Sequence, residues 1–171
     1  MKKNGLVYNP YSFKTQLKFL QTRLKQEIQS MNEETEESAK GTVIVDRSIF
    51  EDCSVFAKSQ LISGLMKEEE FARYRQYFEE AFGVIRFPDL VIYLKIDSKK
   101  LYERIQGRGR EMEKDISEEY LNSLQSLYDS FIKDMESNGA SIFEINTENR
   151  EEYPLVIERI RRLIESKNNT T

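Results

Sequence analysis

The stretch Pro88-Asp89-Leu90-Val91-Ile92-Tyr93-Leu94-Lys95-Ile96 decides the fold. A Pro-Asp pair precedes a short apolar run, which is typical of a strand buried in a parallel sheet. Ser98 follows as the predicted N-cap of a helix that runs through Gln106. A strand that leads directly into a helix is the unit from which α/β folds are built.

The rest of the chain repeats this alternation. Two more short apolar runs predict buried strands, at Thr42–Asp46 and Ser141–Ile145. Apolar residues at three- and four-residue steps predict the other helices, which are Tyr11–Met31, Ser48–Gln60, Lys67–Phe82, Ser117–Met135 and Pro154–Ile164. We also predict a solvated acidic connection at Glu33–Glu37 and a frayed tail at Lys167–Thr171. The pattern predicts one α/β domain over residues 1–171, with a parallel sheet and flanking helices.

Composition excludes several classes of function. The 171 residues contain no histidine, which rules out Ser-His-Asp and Cys-His mechanisms and the usual zinc sites. A net charge of -4 gives no sign of a nucleic-acid partner. No apolar run reaches the length of a membrane span or a signal peptide, and Cys53 is the only cysteine. We therefore expect a cytoplasmic protein without a membrane partner.

Asp46-Arg47-Ser48 lies at the carboxyl end of a predicted strand. Ligands of open α/β sheets bind outside these strand ends. A carboxylate and a guanidinium there suit a metal-bound phosphate and the phosphate itself. The alternative is that Asp46 or Ser48 only caps the next helix, while Arg47 lies in solvent.

A basic segment follows the strand that ends at Ile96. Arg104 and Arg108 are four residues apart and share a helix face, and Arg110 follows after Gly109. Planar guanidinium groups match the oxygens of a transferred phosphoryl group, and glycines allow a loop to close over it. The alternative is a helix C-terminus that carries favourable positive charge. The hinge glycines at 107 and 109 favour the phosphate interpretation.

Gln16 and Arg23 form a third candidate pair on the first predicted helix. They are seven residues apart, so they align over two turns at the edge of the apolar stripe. A carboxamide there offers a donor and an acceptor to the edge of a base. The alternative, two polar residues that border a core face, stays open.

These segments together resemble the deoxynucleoside kinase family, in particular its bacterial deoxyadenosine/deoxyguanosine kinase branch. The similar stretches are Ser12–Gln16 with Arg23, Val45–Asp52, Phe87–Leu94 and Glu103–Glu113. They occur in the order and spacing of the family. The resemblance implies a P-loop-kinase-like parallel sheet and the ATP-dependent 5′-phosphorylation of a deoxynucleoside, with a purine expected.

The resemblance also implies roles on the nucleoside side. Gln16 would pair with the base, Arg23 would orient it, and Asp52 would bias its selection. Glu113 would hold the sugar 3′-hydroxyl. Tyr8 resembles a family tyrosine that touches the same hydroxyl, although it lies closer to Ser12 than the family pattern has it. Candidate stacking walls for the base, with core packing as the alternative, are Phe50, Phe56 and Phe82.

On the phosphate side, the resemblance implies ATP and magnesium as cofactors. Arg47 would reach the 5′-hydroxyl and the transferred phosphoryl group, with Asp46 close to the magnesium ion. Arg104, Arg108 and Arg110 would form a lid over the ATP phosphates. Family members are commonly dimers, so a homodimer is a further expectation.

The sequence departs from the family in one respect. The family's phosphate-binding loop, G-x-x-x-x-G-K-[ST], does not occur in these 171 residues, and the family's general-base glutamate would lie before Met1. That loop supplies a cradle of backbone N–H groups and a lysine. Its strand would lie between Thr42–Asp46 and Leu90–Ile96. We therefore expect a fragment, a decayed remnant, or a chain that pairs with another chain supplying the loop.

Three functions are carried forward. The first is a deoxynucleoside kinase that is incomplete or inactive alone. The second is a non-catalytic nucleoside-binding pseudokinase or a partner subunit of a full-length kinase, which would bind nucleoside without regard to ATP. The third is a thymidylate-kinase-like nucleotide kinase, which would prefer a monophosphate and which fits Gln16 and Arg23 less well.

Overall fold

The chain forms two compact units, Met1–Phe87 and Pro88–Thr171. The structure is a computed structural model that describes residues 8–32, 43–149 and 152–168. The predicted acidic connection at Glu33–Glu37 lies outside the described residues. The single domain predicted over residues 1–171 stays a prediction.

The described residues of the first unit form helices joined by turns and irregular segments, with no strand among them. Its longest helix is α1, Ser12–Asn32. A second helical segment consists of α2 (Ile49–Glu51), a π-helical stretch (Asp52–Ala57) and α3 (Lys58–Ile62). Helix α4, Glu68–Phe82, completes the unit. The helices predicted from the 3.6-residue periodicity are confirmed, but the π-helical stretch was not predicted.

Aromatic and aliphatic side chains form the core of the first unit. Phe50 packs edge-to-face against three rings, with centroid distances of 5.3–5.9 Å, and these rings are Phe78, Phe82 and Phe87. Ile49 and Val55 of the second helical segment are fully buried. The apolar side chains that follow Ser48 therefore pack this segment between α1 and α4.

The second unit contains the sheet. Strand β1 (Leu90–Lys95) is followed by helix α5 (Ser98–Arg108), a short 3-10 turn (Glu111–Glu113) and helix α6 (Glu118–Ser137). Strand β2 (Ser141–Asn146) and helix α7 (Tyr153–Asn168) follow. Strand β1 pairs in parallel with β2 from Leu90 opposite Ser141 to Lys95 opposite Asn146. The predicted β-α-β order is confirmed.

The caps explain where the helices of the second unit begin and end. The side chain of Asp97 accepts hydrogen bonds from the N–H groups of Lys99 and Lys100, so Asp97 is the N-cap and α5 begins at Ser98. The prediction of Ser98 as the N-cap is therefore wrong by one residue. The side chain of Ser117 likewise accepts from the N–H of Tyr120 at the start of α6. Gly109 ends α5 with φ +63°. Helix α5 continues through Arg108 rather than ending at Gln106 as predicted, so the hinge predicted at Gly107 is wrong, whereas Gly109 lies at the helix end.

The strand predicted at Thr42–Asp46 is wrong for the residues that the structure describes. Val43, Ile44 and Val45 are 44%, 75% and 44% exposed, and none of the three is in a strand. A strand is stable only when its N–H and C=O groups pair with a neighbouring strand. The two strands of the described sheet pair with each other, and neither of them pairs with residues 43–46. Thr42 lies outside the described residues.

The last helix differs from the prediction in length. Helix α7 extends to Asn168, beyond the predicted end at Ile164 and into the predicted frayed tail. Residues 169–171 lie outside the described residues. Within the described part of the chain, no helix has the length and apolarity that crossing a bilayer requires.

Candidate active site

An ion pair between α1 and the π-helical stretch forms the centre of the site in the first unit. Arg23 Nε lies 2.6 Å from Asp52 Oδ2, and the Asp52 side chain is only 3% exposed. Burial raises the pKa of Asp52, while the charges of Arg23 and Arg47 act in the opposite direction. Asp52 is thus a buried acceptor held by an arginine.

The turn before α2 is anchored on the same arginine. Arg23 Nη1 donates to the backbone carbonyl of Asp46 over 3.1 Å. The Asp46 residue is exposed. Arg47 follows with φ +68°, a left-handed conformation that is uncommon for a residue with a side chain. The structure therefore brings Arg23, Asp46 and Asp52 together and places Arg47 in a strained turn beside them.

The Arg47 side chain is directed by two neighbours. Its guanidinium carbon lies 4.6 Å from the centroid of the Phe56 ring. Its Nε lies 3.8 Å from Glu51 Oε1, one helical turn further along. The Arg47 side chain is still 50% exposed. A half-exposed guanidinium supported by a ring face remains able to bind an anion.

Glu27 belongs to this site although no sequence motif points to it. Its Oε1 accepts a hydrogen bond from the backbone N–H of Ile49 over 3.2 Å, at the start of α2. Burial raises the pKa of Glu27, with the nearby Asp52 charge adding to the effect and the Ile49 hydrogen bond and Arg23 opposing it. The sequence feature that could have identified Glu27 is its spacing. It lies four residues after Arg23 and therefore on the same face of the helix.

Gln16 is buried on α1, two turns before Arg23, and is 7% exposed. Its Oε1 is inaccessible to solvent and has no hydrogen-bond partner among the described residues. Leaving a buried acceptor unpaired costs roughly 1–3 kcal/mol. This carboxamide is therefore set up to accept a hydrogen bond from a group that is not part of the described chain.

The other nucleoside-side candidates are placed differently. The Tyr8 hydroxyl donates to Glu70 Oε1 over 2.8 Å, and Lys67 Nζ lies 4.6 Å from the centroid of the Tyr8 ring. Tyr8 therefore contacts the N-terminal end of α4. Phe50 is 7% exposed and packs against Phe82 with a centroid distance of 5.5 Å, which favours the core alternative for Phe50, whereas Phe82 is 45% exposed.

Two further ionisable groups lie behind the Arg23–Asp52 pair. Tyr74 is fully buried, and its hydroxyl has no partner within the part of the chain that the structure describes. Burial raises the pKa of Tyr74 strongly, with smaller contributions from Cys53 and Asp52. Burial likewise raises the pKa of the Cys53 thiol to about 11. Cys53 is therefore a thiol at neutral pH and a poor nucleophile.

The second unit holds the arginines of the predicted lid. Arg108 forms a forked pair with Glu113, at 2.6 Å from Nε to Oε2 and 2.9 Å from Nη2 to Oε1. Arg110 Nη1 lies 3.6 Å from Glu113 Oε1. One carboxylate therefore neutralises two arginines across the Gly109 turn. All three residues remain partly exposed, so a polyanion could replace the carboxylate.

Arg104 does not join this cluster. Its Nη2 donates to the backbone carbonyls of Thr147 (2.9 Å) and Glu148 (2.6 Å), and its Nη1 donates to the Tyr153 hydroxyl at 3.3 Å. These contacts connect α5 to the segment after β2. Arg104 therefore lies apart from the Arg108–Arg110–Glu113 cluster, and its hydrogen bonds hold α5 against the segment after β2.

Comparison with known proteins identifies the family. The sequence model described as deoxynucleoside kinase matches residues 7–165, which include every candidate site residue. The chain belongs to the deoxynucleoside kinase family. The resemblance deduced from the four stretches is confirmed at that level.

Curated members of the deoxynucleoside kinase family show the same relationship. The chain is 38% identical over 125 residues to a deoxyadenosine kinase of Dictyostelium discoideum, covering 73% of this chain and 48% of the relative. It is 34% identical over 127 residues to a deoxyadenosine/deoxycytidine kinase of Bacillus subtilis, covering 73% of this chain and 56% of the relative. The chain thus spans about half the length of the curated relatives it matches.

A solved kinase structure shows the same fold. The deoxyadenosine kinase of M. mycoides with bound dATP superposes with a TM-score of 0.69 at 26% identity, covering 94% of this chain and 85% of that one. The fold class is therefore confirmed as an α/β P-loop-kinase-like fold with a parallel sheet and flanking helices. In that kinase the bound ligand is a deoxynucleotide.

Proposed function

We propose that this chain carries the deoxynucleoside-binding site of a kinase that transfers a phosphoryl group from ATP to the 5′-hydroxyl. One observation carries the proposal. The buried Oε1 of Gln16 has no partner among the described residues, while Arg23 and Asp52 form a buried charged pair on the same helical unit. A base edge offers donors and acceptors that such a set of groups can bind.

The proposed substrate is a purine deoxynucleoside, with adenine favoured. An unpaired carboxamide oxygen needs a donor, and the 6-amino group of adenine supplies one. Guanine presents a carbonyl oxygen at the same position, so binding it would require the Gln16 carboxamide to turn and donate its N–H group instead. Two of the curated relatives carry deoxyadenosine in their names, the Dictyostelium deoxyadenosine kinase and the Bacillus deoxyadenosine/deoxycytidine kinase, while another Dictyostelium relative is a deoxyguanosine kinase.

The proposed phosphate side uses the exposed arginines. Arg47 would bind at the 5′-position, and Arg108 and Arg110 would exchange Glu113 for the phosphates of ATP. Glu113 would then be released to accept a hydrogen bond from the sugar 3′-hydroxyl. Arg104 would support this lid through its ties to Thr147 and Glu148 rather than by direct contact.

Magnesium would be held by Asp46 together with the phosphates. Magnesium ions in kinases usually bind to one or two carboxylates and to substrate oxygens. The exposed Asp46 carboxylate fits that mode. Among the residues that the structure describes, no group of three or more acidic or cysteine side chains assembles an all-protein metal site.

The phosphate cradle of the family has no counterpart in the 171 residues, which lack G-x-x-x-x-G-K-[ST]. Removing even one preorganised donor from a developing anion costs on the order of 3–4 kcal/mol. We therefore expect this chain alone to bind deoxynucleoside without rapid turnover. We also propose a cytoplasmic location, in keeping with a single, reduced cysteine.

Pairing with a second copy of the chain is proposed through α1 and α4. A groove of about 360 Å³ lies between these helices, lined mainly by Leu17, Leu20, Leu24, Tyr77, Ala81 and Val84. Val84 at the groove is 59% exposed and Tyr77 is 45% exposed. Sedimentation velocity would show a dimer that Leu17→Asp disrupts; a monomer at all concentrations would refute this part.

Calorimetric titration of the 171-residue chain with the four deoxynucleosides tests the main proposal. We expect deoxyadenosine to bind most tightly and Gln16→Leu to abolish its advantage over deoxyguanosine. Gln26→Ala, an exposed change on the same helix, is the matched control. Failure of the unaltered chain to bind any deoxynucleoside would overturn the proposal, and preference for a pyrimidine monophosphate would favour a thymidylate-kinase-like function.

Addition of magnesium-ATP to the same samples separates the remaining alternatives. Formation of a 5′-monophosphate that Arg47→Ala abolishes would show an enzyme that is active alone. Nucleoside binding with no turnover and no response to ATP would show a nucleoside-binding subunit. The Arg47→Ala control also excludes a contaminating kinase.

A further inference from the structure

The turn that carries Arg47 is held at both ends by one face of helix α1. At its start, Arg23 Nη1 donates to the carbonyl of Asp46. At its end, Glu27 Oε1 accepts from the N–H of Ile49. Arg23 and Glu27 are four residues apart, so both side chains project from the same face. The helix therefore sets the distance between the two ends of the turn.

These two hydrogen bonds, here called the clamp, hold a turn that contains a strained residue. Arg47 is the only non-glycine residue with positive φ among those described. Such conformations persist only where the surrounding structure determines them, and they concentrate at functional sites. Arg47 and Ser48 are the two residues between the clamped positions. The Ser48 side chain accepts a hydrogen bond from the N–H of Glu51.

The hydrogen bond to Ile49 also accounts for a carboxylate at the partly buried position 27. Ile49 is fully buried, so its N–H has no access to water and needs an acceptor. The charged groups that face Glu27 are Arg23, on its own helix, and Asp52, on the π-helical stretch. Arg23 thus contacts both the predicted base-binding residue and the turn that presents Arg47.

We propose that Glu27 is a positioning residue, which fixes the Asp46–Ile49 turn so that Arg47 is directed at the 5′-phosphoryl group. This inference rests on the proposed function, because it takes Arg47 to be the group that meets that phosphoryl group. It assigns Glu27 no direct contact with the substrate. Its action passes through the hydrogen bond to Ile49, and therefore a residue that keeps this acceptor should keep the effect.

The test compares the binding of deoxyadenosine with that of its 5′-monophosphate. Arg47 is proposed to act at the 5′-position, where a phosphate gives its guanidinium a charged partner and a hydroxyl does not, so the ratio of the two Kd values reports its position. We expect Glu27→Ala to lower the preference for the monophosphate by about tenfold, the loss expected for one misplaced charge-assisted hydrogen bond. The affinity for the nucleoside should change much less.

Two further variants test whether the hydrogen bond to Ile49 causes the change in preference. Glu27→Gln retains the acceptor oxygen and should preserve the preference for the monophosphate. Gln26→Ala makes the same kind of truncation at the neighbouring exposed position and should change neither Kd. Amide hydrogen exchange at Ile49, followed by NMR, should accelerate in Glu27→Ala but not in Glu27→Gln.

The outcomes are distinct. A Glu27→Ala protein that keeps the preference for the monophosphate, or a Glu27→Gln protein that loses it as fully, would overturn the positioning role. Unchanged exchange at Ile49 in Glu27→Ala would overturn it independently of any ligand. If the unaltered chain binds neither ligand, the proposed function fails, and the exchange measurement alone decides whether Glu27 fixes the turn.

Discussion

Arg23 and Asp52 form a 2.6 Å ion pair in which the carboxylate is almost fully buried and the guanidinium is 17% exposed. The pair joins α1 to the first residue of the π-helical stretch. Such stretches are rare and occur frequently at functional sites. The two partners are unequally buried, and this asymmetry has a measurable consequence.

Arg23→Ala should destabilise the protein more than Asp52→Ala. Removal of Arg23 leaves a buried carboxylate without its main partner, and breaking a buried pair in this way costs about 3–5 kcal/mol. Removal of Asp52 leaves an arginine that still reaches water and still donates to the carbonyl of Asp46. Urea unfolding at neutral pH would measure both losses, with the double variant giving their coupling. Equal losses would contradict the asymmetry.

Lowering the pH should raise the contribution of Glu27 and Asp52 to the free energy of unfolding, because both carboxylates are buried. The pKa of each is raised by burial above its ordinary value of 4.5 or 3.8. The folded state then binds more protons than the unfolded state, so these groups make the free energy of unfolding fall as pH rises. The fall begins near the ordinary pKa values and ends above the folded ones.

Glu27→Gln isolates the share of one group in this pH dependence. The variant cannot titrate at position 27, so its free energy of unfolding should fall less than that of the unaltered protein between pH 4 and pH 7. Urea unfolding at unit intervals of pH would measure the difference. Glu69→Gln, at an exposed position of α4, is the control. A steeper fall in Glu27→Gln would mean that the pKa of Glu27 is lowered.

The sequence predicted most of the helices because periodicity and caps are local signals. Ser48 and Ser117 are N-caps at the predicted helix starts, and Ser98 is the first residue of α5, one position after its actual cap, Asp97. The run at Val43–Val45 has the composition of a buried strand, but a strand depends on a partner elsewhere in the chain. Local pattern alone could not supply that partner.

Several side-chain contacts in the site likewise depend on partners that local sequence pattern does not identify. Arg23 and Asp52 were selected together by resemblance, and the structure brings them into contact. Glu27 was missed because its role is a hydrogen bond to a backbone N–H across the fold, which no motif records. Arg104 looked equivalent to Arg108 on one helix face, yet it donates to carbonyls after β2. Such partners are set by tertiary packing.

Gly107→Ala and Gly109→Ala should have opposite effects on stability. Gly107 lies within α5, where a Cβ would meet open space, so alanine should stabilise the helix by about 0.5–1 kcal/mol. Gly109 has φ +63°, where a Cβ is strained, so alanine should cost about 1–2 kcal/mol. Thermal unfolding of both variants would measure the contrast. A loss in Gly107→Ala would indicate that residue 107 leaves the helix in solution.

Glu113→Gln should strengthen the binding of polyphosphate by this chain. In the structure the Glu113 carboxylate is shared by Arg108 and Arg110, so a phosphate must displace it before it can bind both arginines. Without that competing charge, affinity for tripolyphosphate should rise about fivefold at low salt, equivalent to about 1 kcal/mol near a surface. Raising the ionic strength should reduce the gain.

The matched control is Glu111→Gln, which removes an equal charge from the same 3-10 turn. Glu111 pairs with Lys114 and not with the two arginines. Its replacement should change the affinity for tripolyphosphate much less, as measured by calorimetric titration under the same conditions. Equal gains in both variants would show that net charge alone controls anion binding. A gain confined to Glu113→Gln, and lost again in Arg108→Ala, would identify Glu113 as the group that phosphate displaces.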